Sequence, residues 1–122
     1  MSLATLSEQY LEHRHALGRS ALTIKNERSH LRLFLSHLEK LGVTEPQTLR
    51  RDQIEDFLDE LTWAPSRHGV PIQVQTRNVR LSTVKGFARW LFEYNYAGLD
   101  AAAKVVFARE PMPLPRNASA AV

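Results

Sequence analysis

Apolar residues recur every three or four positions in four stretches of the chain, which is the spacing of helices that bury one face. The predicted helices span Leu3–Leu17, Ala21–Leu41, Asp52–Leu61 and Val74–Tyr96. No stretch shows the strict alternation of apolar and polar residues that is typical of a half-buried strand. The pattern therefore predicts an all-α bundle.

Glycines mark the predicted ends of three of these helices. Gly18 and Gly42 follow the first and second helices, where the C′ residue needs a positive φ. Gly98 is expected to end the fourth helix in the same way. Asp100 then caps a brief fifth helix that runs to Val106.

Prolines indicate where regular structure stops. Pro46 and Thr48 mark a loop, and the stretch 62–73, with two prolines and a glycine, predicts an irregular loop. The run PMPLPR at 111–116 is expected to be stiff and extended, since proline fixes φ and restricts the residue before it. The organisation predicted is a folded domain over 1–108 and a partly disordered linker over 109–122.

The fourth helix combines an apolar stripe with a cationic start. Leu81, Val84 and Leu91 share one face, and the same face one turn earlier holds Arg77 and Arg80. A cation is costly to bury without a partner. We therefore expect the helix to pack by its C-terminal half while its first turns protrude past the core.

The second helix repeats this arrangement. Arg28 lies on the azimuth of the apolar stripe, with Lys25, Asn26 and Arg32 beside it. Charge is also unevenly distributed along the chain, although the formal net charge is only +3 and the pI is about 9.6. Residues 65–92 carry five cations and no acid, whereas residues 45–60 carry six acids and two arginines. This polarity favours one face for a polyanion and another that is kept away from it.

The composition excludes several classes of site. A chain of 122 residues suits one domain with its own core. The absence of cysteine excludes disulfides, thiol nucleophiles and thiolate metal sites, and it suits a reducing cytoplasm. No apolar run approaches the roughly 20 residues that cross a bilayer, and the N-terminus lacks the basic region of a secretion signal. We expect a cytoplasmic protein without a membrane partner.

Candidate catalytic and metal-binding side chains do not converge in the sequence. The spacing of His13, His15, His30 and His37 matches no metal site, so surface positions are expected for the histidines. Three tyrosines lie on predicted helical segments and are expected to be packing residues: Tyr10, Tyr94 and Tyr96. The aromatic residues Trp63, Phe87, Trp90 and Phe92 are of a type that can stack on bases, but beside a helical stripe they are expected in the core. We therefore expect no cofactor, no metal and no small-molecule substrate.

Two longer patterns make the sequence more specific. The second helix matches T-x-x-x-Y-x-x-x-L-x-x-F at Thr23, Leu31 and Phe34, with Glu27 in place of the aromatic residue. The fourth helix matches T-x-N-x-x-L-S-x-x-[KR]-x-F-x-x-[WY]-[LA] at Thr76, Asn78, Leu81, Ser82, Lys85, Phe87, Trp90 and Leu91. A Pro-rich segment that ends in Leu-Pro-Arg follows. With these features the chain resembles the N-terminal core-binding (SAM-like) domain of tyrosine recombinases, the phage-integrase family.

This resemblance implies a fold and a function. The fold is a four-helix SAM-like bundle with a short fifth helix and a Pro-rich linker toward a catalytic domain that the chain lacks. The second and fourth helices lie against duplex DNA, and other recombinase protomers are partners on the DNA. The family's catalysis uses a tyrosine nucleophile with arginines, a lysine and histidines, and none of those motifs is present. The Asn-Pro-Ala that usually follows the fourth helix is replaced by Asp100-Ala101-Ala102.

The residues and the resemblance point to the same surface. Lysine and arginine displace counterions from phosphates, while arginine, asparagine and glutamine can read base edges in the major groove. The candidate DNA-contacting residues are Arg19, Thr23, Lys25, Asn26, Arg28 and Arg32 around the second helix, and Gln75, Thr76, Arg77, Asn78, Arg80 and Lys85 on the fourth.

Two alternatives to this DNA-binding hypothesis stay open. In the first alternative, these cations simply form a solvent-exposed face. In the second, the chain is a helical protein-interaction module that self-associates through its acidic and basic faces. Two interpretations of the acidic third helix also stay open. Its acidic side chains face solvent in one, and they contact a neighbouring protomer in the other.

Overall fold

The computed structural model describes residues 1–63 and 74–108, with the side chains of 61–63 left out of the description. The elements are α1 Leu3–Ala16, α2 Ala21–Lys40, a 3₁₀ helix Pro46–Thr48, α3 Arg51–Trp63 and α4 Val74–Glu93. The all-α prediction is confirmed, and no strand occurs in these residues. A short 3₁₀ turn replaces the loop expected at Pro46, and α3 extends two residues beyond Leu61.

Serine caps and glycine stops fix the ends of the first two helices. The Ser2 hydroxyl accepts a hydrogen bond from the Thr5 amide at 3.2 Å, and Ser20 does the same for Thr23 at 3.1 Å. Each cap satisfies one amide that has no partner inside its helix. Gly18 and Gly42 have φ of 96° and 77°, which confirms them as the residues that end α1 and α2.

The end of α4 differs from the prediction. The helix stops at Glu93, and Asn95 takes the left-handed conformation with φ of 65°. The Tyr96 amide then bonds back to the Leu91 carbonyl at 2.8 Å. Gly98 does not have a positive φ, so its predicted role as the stop is wrong. Asparagine tolerates this conformation because its short polar side chain bonds locally.

The predicted fifth helix is also wrong. Residues 101–104 form turns, and the chain continues without helical structure to Ala108. The Asp100 carboxylate accepts a hydrogen bond from the Ala102 amide at 3.2 Å, and its carbonyl accepts one from Ala103 at 3.2 Å. An aspartate that bonds to the next turn in this way offers the backbone an alternative to helix. Val105 is nevertheless buried against the core.

Three sequence predictions fall on residues outside this description. The irregular loop lies mostly within 64–73, and the stiff proline run and the disordered end lie within 109–122. The 1–108 domain boundary therefore stays a prediction. Among the described helices, none combines the length and apolar character that crossing a bilayer requires.

The hydrophobic core draws on all four helices, and α2 and α4 each contact the other three. The stripe residues of α4, Leu81, Val84, Phe87 and Leu91, are fully buried. The Tyr10 ring of α1 packs against Phe87 with ring centroids 5.5 Å apart. Burial of this apolar surface is the main favourable contribution to the stability of the bundle.

A glycine in α4 allows α1 to approach closely. A Cβ built at Gly86 would overlap the hydroxyl of Tyr10, while the ring carbon Cζ of Tyr10 would be 3.6 Å away, an ordinary contact. Tyr10 is buried between Phe87 and Trp90, with ring centroids at 5.5 and 5.6 Å, so its ring has little room to move. The Tyr10 hydroxyl is therefore the group that requires glycine at position 86.

Substitution of Gly86 tests this contact. In an unobstructed helix, Gly→Ala stabilises by roughly 0.5–1 kcal/mol. Here we expect Gly86→Ala to destabilise by roughly 1–3 kcal/mol because of overpacking. In a Tyr10→Phe background the same substitution is expected to become stabilising. Urea unfolding of the four proteins of this cycle measures the difference, and an equal effect of Gly86→Ala in both backgrounds would contradict the contact.

Candidate nucleic-acid interface

A hydrogen bond between two helices shows which edge of α2 faces α4. Nδ1 of His30 lies 3.3 Å from the Thr83 hydroxyl. Burial lowers the pKa of the His30 ring, and the charge of Arg80 lowers it further, while Glu27 acts in the opposite direction. The edge of α2 that carries His30 therefore lies against the part of α4 that carries Arg80 and Thr83.

The start of α4 places cations at the margin of the core. Gln75 and Thr76 are exposed, whereas Arg77 and Arg80 are half-buried. Nη1 of Arg77 and Nε of Arg80 are buried, and neither has a hydrogen-bond partner within the described part of the chain. The expectation that both arginines protrude past the core is thus too simple. An arginine stem packs readily against apolar surface while its charged head remains in need of polar partners.

The cations of α2 lie on another edge of that helix. Arg28 makes two hydrogen bonds with Glu8 of α1, at 2.9 and 3.2 Å. The hydrogen bond from Arg28 lowers the pKa of Glu8, and the charge of Arg32 acts in the same direction. Arg28 and Arg32 are each two residues from His30, about 200° around the helix. These two cations therefore lie on the side of α2 that faces α1 rather than on the side that faces α4.

The remaining α2 candidates divide between these edges. Thr23 and Asn26 precede His30 by seven and four residues, so they share its side of the helix. Lys25 precedes Arg28 by three residues and shares the α1 side. Asn26, Lys25, Arg32 and Arg19 are exposed. The structure therefore brings Thr23 and Asn26 toward α4, but not the cations of α2.

Two candidates on α4 are engaged by the chain itself. The Asn78 amide donates to the Ala108 carbonyl at 2.7 Å and accepts from the Ala108 amide at 2.9 Å. Lys85 donates to the Ala102 carbonyl at 2.8 Å and lies over the Phe107 ring, 5.5 Å from its centroid. These polar groups hold the segment after α4.

Comparison with known proteins identifies the domain. Residues 7–95 match the family described as "Phage integrase, N-terminal SAM-like domain". The chain belongs to this family. It is also similar to "Tyrosine recombinase XerC 2" of Ralstonia nicotianae, with 25% identity over 114 residues, and the match covers 93% of this chain but 33% of that protein. No solved structure gives a significant match.

The structure accounts for one departure of this integrase SAM-like domain from the family pattern. Glu27, where the pattern has an aromatic residue, accepts two hydrogen bonds from Arg14 of α1, at 2.5 and 2.7 Å. Both side chains are mostly buried, with 14% and 23% of their surface exposed. A paired guanidinium and carboxylate thus join α1 to α2 at this position of the integrase domain.

The expectation of surface histidines is wrong for His37. Its side chain is 6% exposed, with Nε2 at 2.9 Å from Asp56 and Nδ1 at 3.2 Å from Glu60. The donor atoms of these three residues lie within 4.8 Å of one another, a spacing that a metal ion can use. Each ring nitrogen meets one of the two carboxylates, so His37 forms a polar contact between α2 and α3.

The other aromatic predictions have mixed outcomes. Tyr10 is buried, and burial raises the pKa of its hydroxyl. Tyr94 and Tyr96 lie beyond the end of α4 rather than on a helix, and Tyr94 is exposed. Phe87 and Trp90 are core residues as expected, whereas Phe92 is 44% exposed and the Trp63 side chain is outside the description.

His30 is the residue of this interface that sequence reasoning missed. The sequence offered one usable signal, its position seven residues after Thr23 on the same side of α2. Its contact with Thr83 joins residues 53 positions apart, which spacing within one helix cannot reveal.

The lowered pKa of His30 predicts a pH effect on stability. Because the folded pKa lies below its usual value of 6.5, the unfolded chain binds the proton more tightly. The His30 contribution to stability is therefore present above pH 6.5 and is lost as pH falls through 6.5 toward the lowered pKa. We expect wild type to lose more stability than His30→Gln between pH 7.5 and about 5.

Urea unfolding across this range measures the difference between the two proteins. The other histidines are present in both, so their contributions cancel. Parallel stability curves for the two proteins would rule out this role of His30.

Proposed function

We propose that this integrase SAM-like domain binds double-stranded DNA and has no catalytic activity of its own. The observation that carries the proposal is the start of α4, where Arg77 and Arg80 have buried guanidinium nitrogens without hydrogen-bond partners among the described residues. A buried donor that is left unsatisfied costs free energy. Rotation of these half-buried side chains toward solvent would bring the nitrogens to a ligand with several strong acceptor oxygens, which would relieve that cost.

A phosphodiester backbone has the required chemistry. Arginine binds phosphate in a bidentate geometry, and partial burial strengthens the attraction relative to water. The first turn of a helix also carries amides that have no partner inside the helix, and it is the positive end of the helix dipole, so both features favour an anion. No acid occurs in the first turn of α4. Each of these contributions favours a negatively charged ligand at the same place.

Base reading is assigned to exposed polar side chains near this point. Gln75 and Thr76 are exposed on the first turn of α4, and Asn26 is exposed on the side of α2 that faces α4. Glutamine and asparagine form bidentate hydrogen bonds with adenine in the major groove, worth roughly 1–3 kcal/mol of discrimination each. Arg77 and Arg80 are assigned to phosphate.

The remaining candidates are assigned according to the contacts they already make. Arg19, Lys25 and Arg32 are exposed and supply phosphate contacts along the outer side of α2. Arg28 would have to leave Glu8 before it could reach DNA. Asn78 and Lys85 are already bonded to Ala108 and Ala102, so they are omitted from the proposed interface.

The acidic side chains of α3 are proposed to lie away from the DNA. Its exposed acids are Asp52, Asp56, Asp59 and Glu60. Repulsion between these carboxylates and phosphates would orient the domain on a duplex. The same acids offer a surface for a neighbouring recombinase protomer on DNA.

The reaction of the whole protein is proposed to be strand breakage and rejoining. The chain spans 33% of the length of the tyrosine recombinase that it resembles. We assign catalysis to the part of that length which the match does not cover. A recombinase acting on bacterial DNA would work in the cytoplasm.

Removal of both half-buried arginines tests the interface. We expect wild type to bind duplex DNA with a non-specific Kd of about 10⁻⁴–10⁻⁶ M at physiological salt. Arg77→Ala/Arg80→Ala should weaken binding and lower the slope of log K against log salt by about 0.9 for each lost phosphate contact. Fluorescence anisotropy with a labelled duplex at several salt concentrations provides both quantities.

Arg50→Ala/Arg51→Ala is the matched control, since it removes two arginines that pair with Asp52 and Glu55 on α3. Thermal melts check that both variants fold. An unchanged affinity and salt slope in Arg77→Ala/Arg80→Ala would refute this interface. If wild type binds no duplex but sediments as an oligomer that salt dissociates, the protein-interaction alternative is favoured instead.

A further inference from the structure

The segment that follows α4 makes hydrogen bonds to that helix at two positions along its length. We call residues 100–108 the exit segment. At its far end, the side-chain amide of Asn78 satisfies both the carbonyl and the amide of Ala108, at 2.7 and 2.9 Å. An asparagine amide that bonds one residue twice fixes its orientation as well as its distance. The backbone direction at Ala108 is therefore set by α4.

Lys85 makes the second attachment. Its ammonium group donates to the Ala102 carbonyl at 2.8 Å and lies 5.5 Å from the centroid of the Phe107 ring. One side chain thus contacts both the early and the late part of the exit segment. Asn78 and Lys85 are seven residues apart, so they lie on the same side of α4.

Burial along the exit segment supports a fixed path. Ala102 and Val105 are buried in the core, with 0% and 2% of their surfaces exposed. Val106, by contrast, is 74% exposed, which places its side chain on the outer surface. The segment therefore has an inner and an outer side although it forms no regular helix. Packing and hydrogen bonds both hold it in one conformation.

We propose that Asn78 and Lys85 are positioning residues that fix the direction in which the chain leaves the helical domain after Ala108. The same helix carries Arg77 and Arg80, so α4 sets both the DNA contact and the exit direction. The purpose that we assign to this attachment, to orient the rest of a recombinase relative to the DNA, rests on the proposed function. The attachment itself is a property of the free domain. Asn78 thus acts through the backbone of the exit segment rather than by contact with a base.

Hydrogen exchange of the Ala108 amide is the direct test, measured on the 122-residue chain without DNA. In wild type this amide donates to Asn78 and should be protected. In Asn78→Ala we expect its exchange to be about tenfold faster or more. The amide of Leu91, deep in α4, reports on global stability and should remain protected in both proteins.

Gln47→Ala is the control, because it truncates an exposed amide side chain on the 3₁₀ helix. It should leave the exchange of Ala108 unchanged. An Ala108 amide that exchanges freely in wild type, or equally fast in wild type and Asn78→Ala, would overturn the proposal.

A distance measurement provides the second readout. The chain has no cysteine, so spin labels can be placed at Ser82→Cys and Val106→Cys, both exposed positions. We expect a narrow distance distribution in the labelled parent and a broad one after Asn78→Ala or Lys85→Met. Methionine keeps most of the apolar stem beside Phe107 but removes the donor to Ala102. A distribution that is broad in the parent, or unchanged in both variants, contradicts a fixed exit.

These measurements separate the two proposals. Loss of duplex binding in Arg77→Ala/Arg80→Ala concerns the interface alone, because neither arginine bonds the exit segment within residues 1–63 and 74–108. Failure of the domain to bind any duplex would leave the exit measurement valid. Conversely, free exchange at Ala108 would leave the DNA interface unaffected.

Discussion

A single helix in this domain has to satisfy two opposing requirements. The apolar stripe of α4, from Leu81 to Leu91, is buried against the other three helices, and its burial drives folding. The same stripe continues backwards into Arg77 and Arg80, whose charges are costly to desolvate. The helix cannot withdraw these cations without withdrawing the stripe, since both lie on one rigid rod. The margin of the core therefore holds two guanidinium groups, each with one buried nitrogen that has no hydrogen-bond partner among the described residues. The proposed DNA backbone would supply acceptor oxygens.

Periodicity predicted the helices well because burial of one face is a property of each segment alone. It predicted their ends less well. Gly18 and Gly42 end α1 and α2 as expected, but Asn95 rather than Gly98 ends α4. Asp100 bonds to its own turn instead of capping a helix. Asparagine and aspartate have several local hydrogen-bonding options of similar energy, and the sequence does not reveal which one packing selects.

Sequence reasoning chose the candidate DNA-contacting residues by type and did not identify their partners within the fold. Arg28 and Glu8 are twenty positions apart, and Asn78 and Ala108 are thirty positions apart, yet each pair is in direct contact. His37 likewise meets Asp56 and Glu60 across two helices. Spacing within one helix carries no information about such contacts. The candidate residues therefore included Arg28 and Asn78, whose polar groups are already bonded within the fold.

The Arg14–Glu27 pair constrains how this domain can diverge. Its two charges are largely withdrawn from water and neutralise each other at 2.5 Å. Removal of one member of such a pair strands the other, which costs far more than replacement of both by apolar groups. A substitution at only one of these two positions is therefore expected to cost more stability than simultaneous apolar replacement of both. An aromatic residue at position 27 alone would leave the Arg14 guanidinium without this carboxylate.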